Sequence, residues 1–179
     1  MRKISDWENV EEAGNSEYKP LPAGGYVAYI TKVEDVPEKE YLKFEFDILG
    51  GEFADYGSRC LERNGFTPLR FIRSYKEKAA GFFKGFIKCI EQNNPNFVWD
   101  WNEQKLMNKH FGVVLGEEEY RKMDGSIGTR LAVTRTLNAN DILMGRFKVP
   151  EKKMLTVTET PPPAWVGAAQ TADELPLDL

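Results

Sequence analysis

The stretch YLKFEFDIL, residues 41–49, alternates polar and apolar side chains over nearly its whole length. Successive side chains of an extended strand point to opposite faces, so this period predicts a strand with one buried and one exposed face. The polar side consists of Tyr41, Lys43, Glu45 and Asp47. Such a strand is stable only when neighbouring strands and a core cover its apolar side, so the chain must fold around a sheet.

Other segments are predicted to supply those neighbours. GGYVAYITKVEDV (residues 24–36) precedes the alternating stretch, and SRCLERNG (residues 58–65) is predicted as a third strand with Arg59, Leu61 and Arg63 on one face. HFGVVLGEEEY (residues 110–120) and TRLAVTRTL (residues 129–137) flank the turn KMDGSIG and are predicted as a hairpin. DILMGRFKVPE (residues 141–151) is predicted to extend the sheet.

One main helix is predicted between the third and fourth strands. In SYKE, Ser74 and Glu77 have the spacing of a capping box, and NNP at residues 93–95 ends the helix because proline cannot continue it. Apolar residues recur between them at helical spacing and predict one buried stripe. They are Ala79, Phe82, Phe83, Phe86, Ile87 and Ile90.

The predicted order is β-β-β-α-β-β, which is mainly β with one main helix. A small, partly open Greek-key barrel, the OB-fold, has this order, so we predict an OB-fold-like domain over residues 1–157. ETPPPAWVGAAQ (residues 159–170) is typical of a linker, and residues 158–179 are predicted to be a flexible, disordered tail. Trp99 and Trp101 are compatible with either the core or an exposed platform.

Composition favours a soluble cytosolic protein. No apolar run approaches the roughly 20 residues that cross a bilayer, so no membrane association is predicted, and the N-terminus lacks the apolar stretch of a signal peptide. Cys60 and Cys89 are isolated in sequence and are predicted to be reduced thiols.

Charge is distributed unevenly along the chain. Residues 59–88 contain eight bases and two acids, and residues 121–148 contain six bases and two acids. From residue 158 onward there are four acids and no base, which leaves 24 acids and 24 bases in residues 1–157. This polarity suggests a polyanionic partner for the body of the chain.

Single-stranded nucleic acid requires cations along a groove and flat aromatic faces for the bases. Basic and aromatic residues alternate in RCLERNGFTPLRFIRSY, and the polar side of the second strand and the returning hairpin strand add more. The predicted DNA-binding residues are Tyr41, Lys43, Arg59, Arg63, Phe66, Arg70, Arg73, Trp99, Arg130 and Arg135.

No catalytic residue, metal site or cofactor is predicted. His110 is the only histidine, and GGEFADYG lacks the lysine of a phosphate-binding loop. Acids between Glu117 and Asp124 leave one alternative open, a metal-dependent nuclease.

The last residues of the chain combine acids with aliphatic side chains. They are Asp173, Glu174, Leu175, Pro176, Leu177, Asp178 and Leu179. This layout resembles bacterial single-stranded-DNA-binding proteins, in which an OB-fold is joined by a linker to an acidic tip that docks on replication and recombination proteins. Those tips typically end in Pro-Phe, whereas this chain ends in LPLDL, which puts docking in the same pocket in doubt.

Residues 1–155 resemble a family of small proteins of unknown function from phages and prophages of low-GC Gram-positive bacteria. The segments that carry the resemblance include YLKFEFDI, GEFADYG, SYKEKAAGFFKGFIKCIEQNN and MGRFKVPE. The resemblance implies a role in viral DNA replication or recombination in the cytoplasm of a bacterial host, and it implies no catalytic residue.

The sequence therefore predicts a non-catalytic, phage-type single-stranded-DNA-binding protein. The main alternative is an adaptor that recruits a recombinase or helicase without binding DNA, because residues 1–157 are neutral overall. The oligomeric state stays open, with a homodimer among the options.

Overall fold

The structure is a computed structural model that describes residues 19–156. Five strands and three helices follow one another along the chain. They are β1 (Gly24–Val36), β2 (Tyr41–Ile48), α1 (Tyr56–Asn64), β3 (Arg70–Ser74), α2 (Ala80–Asn93), β4 (His110–Arg121), β5 (Ile127–Leu137) and α3 (Ala139–Leu143). Single 3-10 turns lie at Pro37–Lys39, Glu77–Ala79 and Glu103–Leu106.

The five strands form one antiparallel sheet in the order β3-β2-β1-β4-β5. The two edge strands approach each other where Arg73 of β3 donates a hydrogen bond to Thr136 of β5 (3.4 Å), so the sheet curls toward closure along this seam. The main helix, α2, lies between β3 and β4 in the chain. The predicted fold class is confirmed: the protein is mainly β, with one main helix and the strand order of a partly open OB-like barrel.

The alternating stretch forms β2 as predicted. Leu42, Phe44, Phe46 and Ile48 are buried, whereas Lys43 is exposed and Glu45 half-buried. β2 pairs with β1 on one side and β3 on the other, which gives its apolar side the covered interior that the pattern requires.

Aromatic rings fill the centre of the barrel. Phe71 lies 5.0 Å from Phe44 and 5.6 Å from Phe86 (ring centroids), and Phe111 lies 5.8 Å from Phe46. Each such pair adds about 0.5–1.5 kcal/mol beyond the burial of its apolar area. This cluster joins four elements, β2, β3, α2 and β4, into one core.

The main helix is confirmed, and it ends at Asn93 two residues before Pro95. The predicted capping box is wrong: Ser74 ends β3, its hydroxyl accepts a hydrogen bond from the Lys76 N–H (3.2 Å), and the α-helix begins only at Ala80. Phe82, predicted to be core, is 58% exposed because it lies at the border of the buried stripe.

The predicted third strand is also wrong, because residues 58–65 lie in helix α1 and the turn after it. Tyr56 and Gly57 are buried, and so is Cys60 one helical turn later, and Gly65 ends the helix with φ 75°, a left-handed conformation that suits glycine. Arg59 and Arg63 therefore project from a helix, and the third strand is Arg70–Ser74.

Residues 141–151 do not extend the sheet as predicted. They contain the end of α3 and an irregular segment, and both pack on the outer side of β1 and β4: Ile142 lies over Gly112, Phe147 over Gly25 and Pro150 over Gly116. A Cβ at Gly112 would lie 2.7 Å from Ile142, so the glycine permits this close approach. This segment covers the outer side of β4, whereas among residues 19–156 it leaves Lys43 of β2 and Arg70 of β3 exposed.

Candidate nucleic-acid interface

The outward-pointing side chains of β1, β2 and β3 form one surface, which we call the outer face. Residues that are paired across strands lie side by side on it. Lys32, Glu45 and Arg70 form one row, and Glu34, Lys43 and Ile72 form the next. Tyr41 lies half-buried beyond the second row.

Cations and carboxylates alternate on the outer face. Lys43 Nζ lies 3.4 Å from Glu34 Oε1, both side chains being about half exposed, and such surface pairs contribute about 0–1 kcal/mol. Lys32 and Arg70 form no ion pair with any residue in the range 19–156. Two of the three cations on this face are therefore available to an anionic ligand.

Helix α1 is held at one end of the outer face by Asp47. This residue continues the outward series of β2 but is only 1% exposed, because α1 begins over it. Its carboxylate accepts hydrogen bonds from the backbone N–H groups of Gly57 and Ser58 (2.7 Å each) and from the Ser58 hydroxyl (2.6 Å). A carboxylate at a helix N-terminus satisfies free N–H groups and complements the helix dipole. Asp47 therefore fixes where α1 lies.

Three predicted DNA-binding residues belong to α1 or its exit. The Arg59 guanidinium donates a hydrogen bond to the Ala54 carbonyl (3.0 Å), Arg63 is exposed in the last turn, and Phe66 is 52% exposed. The chain then enters β3 at Arg70. The structure thus brings these side chains to the end of the outer face that carries Arg70.

Arg73 does not lie on the outer face. It is paired with Leu42 on the inner side of the sheet, and its guanidinium lies 4.9 Å from the centre of the Phe71 ring and donates to the Ile72 carbonyl (3.2 Å) and to Thr136. Burial lowers the pKa of Arg73 to about 10. Arg73 therefore lies in the seam, where it joins β3 to β5.

Arg130 and Arg135 both belong to β5, which lies across the seam from β3 and is not one of the three strands of the outer face. Arg130 Nε donates to Glu118 Oε1 (2.6 Å), and its guanidinium lies 5.2 Å from the Tyr120 ring centre. Arg135 is exposed and pairs in register with Val114 of β4.

Trp99 and Trp101 lie in the segment between α2 and β4, and the structure resolves their two roles. Trp99 is half-buried against Phe83, with ring centroids 6.1 Å apart. Trp101 is 79% exposed and lies 6.0 Å from Trp99. Trp99 therefore packs against the core and lies beside Trp101. The exposed ring of Trp101 is not among the DNA-binding residues predicted from the sequence.

Three of the four acids from Glu117 to Asp124 are engaged with neighbouring groups. Glu118 is paired with Arg130, and Glu119 with Lys152 (3.1 Å), whose hydrogen bond lowers the pKa of Glu119. The Ser126 hydroxyl and N–H lower the pKa of Asp124 in the same way. Within residues 19–156 no three His, Cys, Asp or Glu side chains form a group that could hold a metal ion.

The two cysteines are free thiols, as predicted. Both are buried, and the Cys89 Sγ lies 2.7 Å from the Leu137 carbonyl oxygen. Burial raises the pKa of Cys89 to about 11.

Sequence reasoning missed Lys32. Its exposure follows from the register between β1 and β2, which shifts between Ile30 and Lys32 at a bulge. The alternation of polar and apolar residues along β1 does not reveal this register shift, so the exposure of Lys32 was not predicted.

The predicted partner-binding tail, residues 173–179, lies outside the described residues. Within the part of the chain that is described, every helix is too short or too polar to cross a bilayer. A scan against protein-family models and a search of curated proteins find no match to this chain.

Proposed function

We propose that this protein binds single-stranded DNA, without catalysis, through the outer face and α1. The observation that carries the proposal is the joint position of cations and aromatic side chains on a face of the OB-like barrel that residues 19–156 leave largely exposed. Lys32, Lys43 and Arg70 lie on the sheet, and α1 with the turn after it adds Arg59, Arg63 and Phe66 at one end.

Phosphates require cationic side chains and bases require aromatic rings, and the outer face with α1 provides both. Each phosphate bound by a lysine or arginine releases counterions, which gives binding a steep dependence on salt. Phe66 and Tyr41 supply rings on which bases can stack, at about 1–3 kcal/mol per base. Backbone contacts and stacking carry little sequence information, so binding is expected to be largely independent of base sequence.

The biological setting is proposed from the resemblance to phage and prophage early-region proteins. The protein would cover exposed strands during viral DNA replication or recombination in the bacterial cytoplasm. Its acidic C-terminal residues would recruit another protein of that machinery.

The test is anisotropy of labelled oligo(dT) at several salt concentrations. We expect saturable binding that weakens steeply with salt. Lys43→Ala combined with Arg70→Ala should lower the affinity and reduce the slope of log K against log salt by about 1.4, because each single-strand phosphate contact contributes about 0.7. Arg59→Ala with Arg63→Ala should act in the same direction.

Two control variants sharpen this experiment. Lys148→Ala with Lys153→Ala removes the same charge from exposed positions elsewhere and should leave the affinity within about twofold once the salt effect of net charge is matched. Glu34→Gln with Glu45→Gln removes the carboxylates of the outer face and should raise the affinity. An unchanged affinity in both outer-face variants would exclude this face as the binding site.

A protein-interaction adaptor is the second candidate. The alternation of Glu34, Lys43, Glu45 and Arg70 on the outer face favours it, because mixed charge suits a protein surface better than a polyanion. If no oligonucleotide binds at low salt and the outer-face variants abolish co-purification of a recombinase or helicase, the adaptor replaces the DNA-binding proposal.

A further inference from the structure

Trp101 combines an exposed side chain with an unfavourable backbone conformation. Its side chain is 79% exposed, and its backbone has φ 65°, in the left-handed region that bulky residues rarely adopt. Such residues persist where the surrounding structure fixes them, and they concentrate at binding sites. The neighbouring turn is braced by an ion pair between Asp100 and Lys105 and by Asn102, which caps the next 3-10 turn.

Trp99 holds Trp101 against the barrel. The Trp99 backbone N–H donates to Glu91 Oε1 of α2 (2.9 Å), and its ring packs edge-on against Phe83. The Trp99 indole Nε1 is buried and has no hydrogen-bond acceptor among the described residues. The exposed ring of Trp101 therefore lies on a second ring that is itself anchored to the core.

A row of cations on α2 runs beside this pair. Lys84, Lys88 and Glu91 follow one another at helical spacings of four and three residues, so they lie along one stripe of the helix. Glu91 is the residue that binds Trp99, which places the two exposed lysines of the stripe next to the tryptophan pair. The one carboxylate of this stripe, Glu91, accepts a hydrogen bond from Trp99, and the two exposed lysines beside it are complementary to phosphate.

A series of rings that passes through the buried Phe83 connects Trp101 to the end of β3. Tyr75 directly follows β3, and Tyr75, Phe83, Trp99 and Trp101 are spaced by 6.2, 6.1 and 6.0 Å between successive centroids. The Tyr75 hydroxyl donates to Asp35 near the end of β1 (2.9 Å). The series begins at the Tyr41 end of the outer face, opposite the end occupied by α1.

We propose that Trp101 stacks on a base, and that Lys84 and Lys88 bind phosphates, of a single strand that continues from the outer face onto α2. This inference rests on the proposed DNA binding and adds a second contact surface to it. A short strand would occupy the outer face alone, whereas a longer strand would reach both surfaces.

The experiment compares oligo(dT) of about 6 and about 20 nucleotides, lengths that bracket the usual site of one OB-fold. Trp101→Ala should weaken binding of the long strand by about 5- to 150-fold, the range expected for one lost stacking contact, and should leave the short strand within about twofold. Val98→Ala is the matched control, since Val98 lies in the same segment and is 75% exposed. Urea unfolding of each variant checks that it is folded.

The lysines have a separate measurement. Lys84→Ala with Lys88→Ala should reduce the salt slope for the long strand by about 1.4 and leave that of the short strand unchanged, with Lys148→Ala and Lys153→Ala as the charge-matched control. Unaltered binding of the long strand by the Trp101 variant, or equal losses at both lengths, would overturn the inference while DNA binding by the outer face stands. Failure of the wild-type protein to bind either strand would overturn both.

Discussion

Asp47 shows how one side chain determines the site. It lies at an outward position of β2, where the alternation predicts a solvated carboxylate, yet it is buried and accepts hydrogen bonds from three backbone N–H groups, those of Ile48, Gly57 and Ser58. Without it, the start of α1 would have unsatisfied donors against the sheet. The positions of Arg59 and Phe66 depend on this contact.

Asp47→Ala is expected to lower the free energy of unfolding by about 2–3 kcal/mol, because buried N–H groups lose their acceptor. Urea denaturation followed by circular dichroism measures this. Glu45→Ala, two residues earlier on the same face and half-buried, should change stability by less than about 0.5 kcal/mol. Equal effects of the two substitutions would show that the Asp47 hydrogen bonds do not hold α1.

At the scale of elements, α2 is stabilised by its packing against the core more than by the helix propensity of its exposed residues. Its buried side is continuous from Phe83 to Ile90, but its exposed side carries Gly81 and Gly85, where an added Cβ would meet open space. Glycine in an exposed helix interior costs about 1 kcal/mol relative to alanine. Packing against the core therefore stabilises this helix against the preference of its own outer residues.

Gly85→Ala is accordingly expected to raise the free energy of unfolding by up to about 1 kcal/mol, and Gly81→Ala by less because it lies in the first turn. The contrasting substitution is Gly112→Ala, whose Cβ would lie 2.9 Å from the carbonyl oxygens of Leu137 and Asn138 and should destabilise the protein. Thermal unfolding of the three variants tests whether the two substitutions in α2 stabilise the protein and the substitution at Gly112 destabilises it. Destabilisation by Gly85→Ala would mean that something covers this side of α2.

At the scale of the whole molecule, the strands differ in how firmly they are held. β1 lies at the centre of the sheet, bonded to β2 and to β4, whereas β3 is a five-residue edge strand. The seam beside β3 is bridged by the Arg73–Thr136 hydrogen bond. Opening of the barrel should therefore begin at this seam.

Native-state hydrogen exchange measures that order. We expect the slowest amides around Ala28 and Tyr29 of β1, which are paired with both neighbouring strands, and faster exchange in β3. Arg73→Met should speed exchange in β3 more than in β1, because it removes the bridge and leaves the central strand paired. Uniform acceleration across the sheet would show that the barrel opens as one unit.

The sequence predicts features whose cause is local. The alternation of residues 41–48 depends only on the period of a strand, and the stripe of α2 on the period of a helix, so both were correct in type. The helix at residues 56–64 was not predicted. The carboxylate that binds its N-terminal N–H groups belongs to Asp47, ten residues before Gly57 and on another element, so no local sequence period indicates it.

The same distinction holds for the candidate site. Lys43 follows from strand alternation and Arg70 from the interleaving of basic and aromatic residues, but the inward direction of Arg73 requires the register of β3 against Leu42. Phe82 and Trp101 have apolar surfaces typical of core residues, and only the three-dimensional arrangement places them at the surface.

The attachment of α1 also has an evolutionary consequence. The helix is inserted between two neighbouring strands, is fixed by the Asp47 carboxylate and contributes Tyr56 and Cys60 to the core. Selection on folding therefore acts on these contacts. Its exposed side, which includes Arg59, can change in descendants of this chain, and with it the ligand preference, while the barrel is inherited unchanged.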